Sequence, residues 1–225
     1  MKLTPEGIAI IEDDTHLSKW IREQRTLEVA KSYCNLFRQY IPVGGAVIDV
    51  GACLGDMTAT FSHMVGPNGL VVAFEPNPVA HECLLHNMIP YKNVTVYNFG
   101  LGDKDQKVGT FHDEISQFNL GATQLRGEGP IEVTKLDRFS FSKRINLIKI
   151  DAEGWEPRII RGAMGLIQMD TPTILFEINR PVLKAQGSSV EEIYKLFDLL
   201  RYKVMPAESH HSLDSEQVDA LAVPI

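Results

Sequence analysis

At roughly 150 residues per domain, a chain of 225 residues should form one domain with elaborations, and a hydrophobic fraction of 44% supplies a sizeable core and excludes wholesale disorder. Twenty-nine acidic against 22 basic residues give a formal net charge of −7, which leaves no general electrostatic footprint for nucleic acid or an anionic membrane. Cys34, Cys53 and Cys83 form no Cys-x-x-Cys pair, which fits a reducing compartment and argues against a disulfide scaffold or a structural zinc site.

The N-terminal stretch has a single Lys, a short apolar run and then acids, unlike a secretory signal. No apolar run approaches the roughly 18 residues needed to span a bilayer. The chain is therefore expected in the cytoplasm. Glu12, Asp13, Asp14, Thr15 and His16 open a predicted helix, with Asp14 or Thr15 as candidate caps. Ala30, Tyr33, Cys34, Phe37 and Tyr40 continue a helical stripe.

Apolar, β-rich runs then follow at 46–50, 70–74, 94–99, 146–150 and 173–178, several apolar almost throughout, as parallel strands buried on both faces should be. Helical stretches separate them. Asn77 and Pro78 supply a cap and a first-turn proline, and Trp155 and Pro157 open another helix with Ile159, Ile160, Ala163, Leu166 and Ile167 on its apolar face. Ser189 and Glu192 read as a capping box. Residues 104–144 are polar and Gly-rich, too long for a simple crossover, and should carry extra short strands such as 131–134. Two last runs, 201–205 and 217–223, are joined without a helix and should pair antiparallel. The alternation predicts an α/β fold, a doubly wound sheet with right-handed crossovers.

The candidate chemistry collects at the strand ends. Asp49 precedes a turn in which Gly51 and Gly55 allow close backbone approach to a ligand. Cys53 stands where a second dinucleotide-binding glycine would be, and no Gly-Lys-Ser/Thr follows, so a pyrophosphate or P-loop reading fits poorly. An acid before the turn suits an ammonium group instead. Glu75, 24 positions after Gly51, can accept both hydroxyls of a ribose. Asp151 and Glu153 follow the fourth strand and can face one cleft, while Glu156 reads as a helix-start acid; Glu177 and Asn179 end the fifth strand. His210 and His211, between the last strands, are either a candidate base or solvated loop residues.

The segments 47–55, 73–78, 100–103, 134–137, 148–156 and 175–179 together resemble the FkbM family of S-adenosylmethionine-dependent methyltransferases, in order over about residues 45–180. The resemblance implies a Rossmann-like, mostly parallel seven-stranded sheet with an antiparallel last strand. With the length and the element order, the chain is read as one domain over 1–225: a cap and helix (1–45), a cofactor-binding core (46–180), and a C-terminal helix with two strands (181–225). Gly51, Ala52 and Gly55 would pass under the methionine part of S-adenosylmethionine, with Asp49 near its ammonium. Glu75, with Pro76 beside it, would hold the ribose. Gly100 and Leu101, in the loop to Asp103, would border the adenine, and Asp151 would face the sulfonium and the acceptor. Cys53 departs from the family pattern, and its thiol would make activity sensitive to oxidation.

The implied reaction is O-methylation of a saccharide or similar polyhydroxylated metabolite. Candidate bases are Asp151, then Glu153, then His16, Glu177 or His210. Glu177, Asn179 and His210 are also the candidate acceptor-binding residues, and His16 belongs to the segment that would cap the cleft. No resident metal is expected; the metal-assisted alternative would use Asp151, Glu177 and Asn179 on Mg²⁺. N- or protein methylation, a nicotinamide-dependent oxidoreductase, and a silent cofactor-binding module remain as alternatives. Neither nucleic acid nor membrane is expected as a partner.

Overall fold

The computed structural model describes residues 1–28, 36–111 and 119–225. The N-terminal segment forms a two-residue ladder of β1 (Lys2–Leu3) and β2 (Ala9–Ile10), then α1 (Leu17–Gln24). The central sheet is built from β3 (Ala46–Val50), β4 (Leu70–Phe74), β5 (Val94–Tyr97), β11 (Leu147–Ile150), β12 (Thr173–Asn179), β13 (Tyr202–Pro206) and β14 (Gln217–Pro224). Its order is β13-β14-β12-β11-β3-β4-β5, with β14 antiparallel to both neighbours and the other pairings parallel. The seven strands and the antiparallel last one match the sequence expectation. Every residue of β3 and β11 is buried, because helices cover both faces of a parallel sheet.

Helix α2 (Asp56–Val65) follows β3 and α3 (Pro78–Asn87) follows β4. The Asn77 side chain accepts hydrogen bonds from the amides of Val79 and Ala80, the cap its sequence promised. Residues 104–144 carry the expected extra strands. β10 (Ile131–Thr134) pairs parallel with β6 (Gly100–Leu101) and antiparallel with β7 (Gln106–Val108), while β8 (Thr110–Phe111) pairs with β9 (Gln124–Leu125).

The helix predicted from Trp155 onward is two helices, α4 (Glu156–Gly162) and α5 (Met164–Asp170). The break has a local cause: Asp137 accepts from the amides of Gly165 at 2.9 Å and Leu166 at 2.8 Å, capping a fresh helix start from outside. The apolar face is still the one expected, with Ile159, Ile160, Ala163, Leu166 and Ile167 all buried. After β12 come α6 (Arg180–Ala185) and α7 (Val190–Leu200). The capping box at α7 is half formed: Ser189 Oγ accepts from the Glu192 amide, but the Glu192 carboxylate turns to Ser188 and Arg161. Of the helical stripe ahead of β3, Ala30, Tyr33 and Cys34 lie outside the described residues; Phe37 is buried in the core.

Candidate active site

At the carboxyl ends of β3, β4 and β11 the chain makes three tight exits around one cavity of about 190 Å³. Gly51 leaves β3 at φ +77, and a Cβ there would lie 1.9 Å from the Asp151 carbonyl oxygen. The glycine is thus required by the approach of a neighbouring strand's backbone, rather than by a ligand alone. Gly55, at φ +95, has its Cβ position filled by Leu84 and Met88, so this glycine seats α2 against α3 and does not line the cavity. Ala52 is buried beneath the turn, its amide bonded to the Phe74 carbonyl. Cys53 at φ 48 and Glu153 at φ 49 hold left-handed backbone without being glycines, and both line the cavity. Such strain costs of order 1–3 kcal/mol per residue and persists only where its surroundings fix it.

Glu75, at the end of β4, is 7% exposed and lines the cavity. Its Oε2 accepts from the Cys53 amide at 2.8 Å and its Oε1 from the Asn77 amide at 2.8 Å. Burial lifts its pKa to about 7 in spite of those two bonds. Each oxygen keeps one lone pair for a hydroxyl donor. Pro76, Gly100 and Leu101 line the same cavity, and Phe99, Leu125, Trp155 and Ile159 add apolar and aromatic surface.

Beneath the turn lies a charge network that sequence reasoning missed. Lys149 is level with Asp49 across the β11–β3 ladder. Its ammonium donates to the Gly51 carbonyl at 3.0 Å and lies 3.5 Å from Asp49 Oδ1 and 3.4 Å from Asp151 Oδ2. Burial works against this charge, but Asp151, Asp49 and Asp56 outweigh it and raise the Lys149 pKa. The signal was present in the sequence: a lysine inside a fully buried strand is almost never found unpaired. Asp49 itself does not face the cavity. It is fully buried, accepts from Thr58 Oγ1 at 2.6 Å, and leaves Oδ1 with no hydrogen-bond partner. The Lys149 ammonium stands on the Oδ1 side of Asp49.

A second cavity opens beside the first, and the two share Asp56, Met57, Lys149 and Asp151. Glu177 and Asp219 complete its acidic lining. Burial and the nearby Asp151 charge push the Glu177 carboxyl up, while Gln217 Nε2 donates to Glu177 Oε1 at 2.6 Å. Burial raises Asp56 to about 6. Carboxylate oxygens of Asp151, Glu153 and Glu177 all lie within 4.8 Å of one another. Asn179, expected with them, caps α6 by accepting from the Val182 amide and also hydrogen-bonds the Glu177 carboxylate through its side chain.

The two candidate histidines lie elsewhere. His16 is exposed, its ring 3.3 Å from Thr15 Oγ1, and the helix turns Leu17 to the cavity instead. His210 is exposed, pairs with Glu208 at 3.3 Å and packs on His211, so it lines neither cavity. The N-terminal segment nevertheless reaches the site. Asp14, 3% exposed, accepts from the Ser18 amide at 2.6 Å and from the Leu120 amide at 3.1 Å, tying α1 to a loop that contributes Leu120, Gly121 and Thr123 to the cavity wall. Cys53 is half-buried, and desolvation first, then the charges of Glu75 and Asp56, push its thiol well above the usual range. A raised thiol pKa lowers the share of the reactive thiolate at a cysteine that still lines the cavity.

The Methyltransferase FkbM domain pattern matches residues 49–204. The chain belongs to the FkbM methyltransferase family. Its fold resembles the methyltransferase FkbM of Methylobacillus flagellatus KT (TM-score 0.55, 19% identity, 85% of this chain and 47% of that one). The FkbM chain thus spans less than half the length of that relative. It also resembles a SAM-dependent O-methyltransferase of Thermotoga maritima (TM-score 0.53, 14% identity, 93% and 71%) and SMU.1697c of Streptococcus mutans, solved in complex with SAH (TM-score 0.51, 13% identity, 87% and 97%). No curated protein matches the chain. S-adenosylmethionine, the cofactor the FkbM family implies, fits the residues at the β3–β4 exits: a buried carboxylate with open lone pairs at Glu75, the Gly51 turn, and an apolar lining from Leu101, Leu125 and Ile159.

Proposed function

We propose that this FkbM protein transfers a methyl group from S-adenosylmethionine to a hydroxyl of a saccharide or other polyhydroxylated small molecule. The observation that carries the reading is the meeting of two cavities over Lys149 and Asp151, one with a ribose-accepting carboxylate, the other ringed by Asp56, Asp151, Glu177 and Asp219. Carboxylates in that number suit a ligand rich in hydroxyl donors. When bound, the cofactor supplies an already activated methyl on sulfur, so the protein has mainly to position the partners and take a proton.

In this reading Glu75 accepts the ribose hydroxyls. Pro76, Gly100 and Leu101 border the adenosine, and Gly51 forms the floor. Asp151, 47% exposed at its side chain and ion-paired to Lys149, faces the acceptor and takes the hydroxyl proton; Glu153 and Glu177 stand behind it. A surplus of carboxylates over the one lysine also favours, as a second reading, an amine acceptor on the same site.

The test is transfer of a deuterated methyl group to a panel of sugars, polyols, amines and peptides, read by mass spectrometry. Labelled O-methyl products, with turnover reduced about 10²–10⁴-fold in Asp151→Asn, support the proposal. Label only on amines or peptides replaces it with the second reading. Full activity in Asp151→Asn removes Asp151 from its role.

A further inference from the structure

On the other side of Leu125 and Trp155 from the cofactor cavity lies a separate cleft of about 410 Å³. That volume is within the usual range for small-molecule sites. Three cations line it: Lys104 from the β6–β7 turn, Arg126 after β9, and Arg158 on α4. Among the described residues none of the three is in an ion pair. The one acid of the cleft, Asp103, is already held by Arg161 at 3.3 Å. A chain with a net charge of −7 therefore gathers three cations without a directly paired acid, from three separate segments, at one concave place. Glu192, whose charge acts on Arg158, is itself paired with Arg161.

The walls are built and held. Arg158 lies over the Trp155 ring, 4.6 Å from its centroid, and its Nη2 donates to the Gln186 carbonyl at 3.1 Å. Trp155 Nε1 donates to the Leu125 carbonyl at 2.8 Å, and the buried Gln186 side chain donates to the same carbonyl at 3.3 Å. Arg126 rests over the Phe111 ring at 5.2 Å. Both guanidiniums are thus restrained through ring faces, which leaves N–H donors for a ligand. A planar fork of donors matches the oxygens of a phosphate, and preorganisation reduces the entropy lost on binding.

We propose that this cleft binds a phosphate-bearing small molecule, at a site separate from the cofactor and acceptor cavities. The test is calorimetric titration of pyrophosphate into the protein at low salt, with and without saturating S-adenosylhomocysteine. Saturable binding in both conditions is expected. Arg126→Gln and Arg158→Gln should each weaken it about tenfold, the loss of one charge-assisted contact. Lys107→Gln removes the same charge from the same small sheet, where Lys107 pairs with Glu132 outside the cleft, and should leave binding unchanged. Retained S-adenosylhomocysteine binding reports that each variant is folded. The proposal is overturned by no pyrophosphate binding, by binding that both arginine variants leave intact, by an equal loss in Lys107→Gln, or by competition from S-adenosylhomocysteine. Failure of the methyl-transfer reading would leave the pyrophosphate result standing, since neither cavity of that reading contains Lys104, Arg126 or Arg158.

Discussion

Replacing Gly51 by Ala perturbs the point where the β3 and β11 exits touch. Left-handed backbone costs a non-glycine residue about 1–2 kcal/mol. The added Cβ would also sit 1.9 Å from the Asp151 carbonyl oxygen, and only backbone movement of β11 can relieve that. Forced repacking of this kind adds about 1–3 kcal/mol, for a total of about 2–5 kcal/mol. Gly127→Ala isolates the first contribution, because Gly127 has φ +70 and nothing within 4 Å of its Cβ position. The unfolded-state effect of Gly→Ala is common to both variants and cancels in their difference. Urea unfolding of the two should therefore place Gly51→Ala about 1–3 kcal/mol below Gly127→Ala. Weaker S-adenosylhomocysteine binding should accompany this loss, since the turn carries the Cys53 amide that holds the Glu75 carboxylate at the cavity. Equal destabilisation within about 0.5 kcal/mol, the ordinary surface-mutation range, would refute the close-approach argument.

Three other perturbations report on the buried charges. Lys149→Met leaves Asp49 and Asp151 without their cation and should destabilise the fold by about 3–5 kcal/mol; adding Asp49→Asn should recover part of that loss in chemical denaturation, and no recovery would contradict the network. Burial raises Glu156 to about 8 and Glu75 to about 7, so both neutral forms stabilise the fold fully below about 4.5, and that contribution is lost as pH rises through 7 and 8. Melting temperature should fall over that window, and Glu156→Gln, whose remaining oxygen can still accept from the Ala152 and Gly154 amides, should flatten the fall. An unchanged pH slope in Glu156→Gln would show that its carboxyl is not the group responsible. Cys53 should be alkylated by iodoacetamide far more slowly at pH 8 than a free thiol, as peptide mapping by mass spectrometry would show; rapid labelling would contradict the upward push on its thiol.

The strands were legible because a parallel sheet covered on both faces writes itself as continuous apolar runs: 46–50 and 70–74 begin and end where the sequence placed them. The ends of the runs also located Glu75 and Asp151 at the cavity, since strand termini define the ligand edge of an open sheet. What stayed hidden depends on partners far along the chain. Asp137 splits a helix 28 residues away, and Asp14 grips Leu120 across 106 positions. The position of Asp49 before the turn points it toward a ligand, while its pairing with Lys149 is set by strand register, which a linear pattern does not reveal. At the start of α1, Leu17 lines the cavity and the capping His16 does not, a difference of one position that the sequence cannot resolve.

The central claim is that the β3–β4 exits hold an adenosyl cofactor through Glu75. Titration calorimetry with S-adenosylhomocysteine and with NAD, on wild type, Glu75→Ala and Asp151→Ala, tests it most directly. Tight binding of S-adenosylhomocysteine to the wild type is expected, weakened about tenfold or more in Glu75→Ala by loss of hydrogen bonds to a charged group, and largely kept in Asp151→Ala. No binding of S-adenosylhomocysteine, a preference for NAD, or indifference to Glu75→Ala would contradict it.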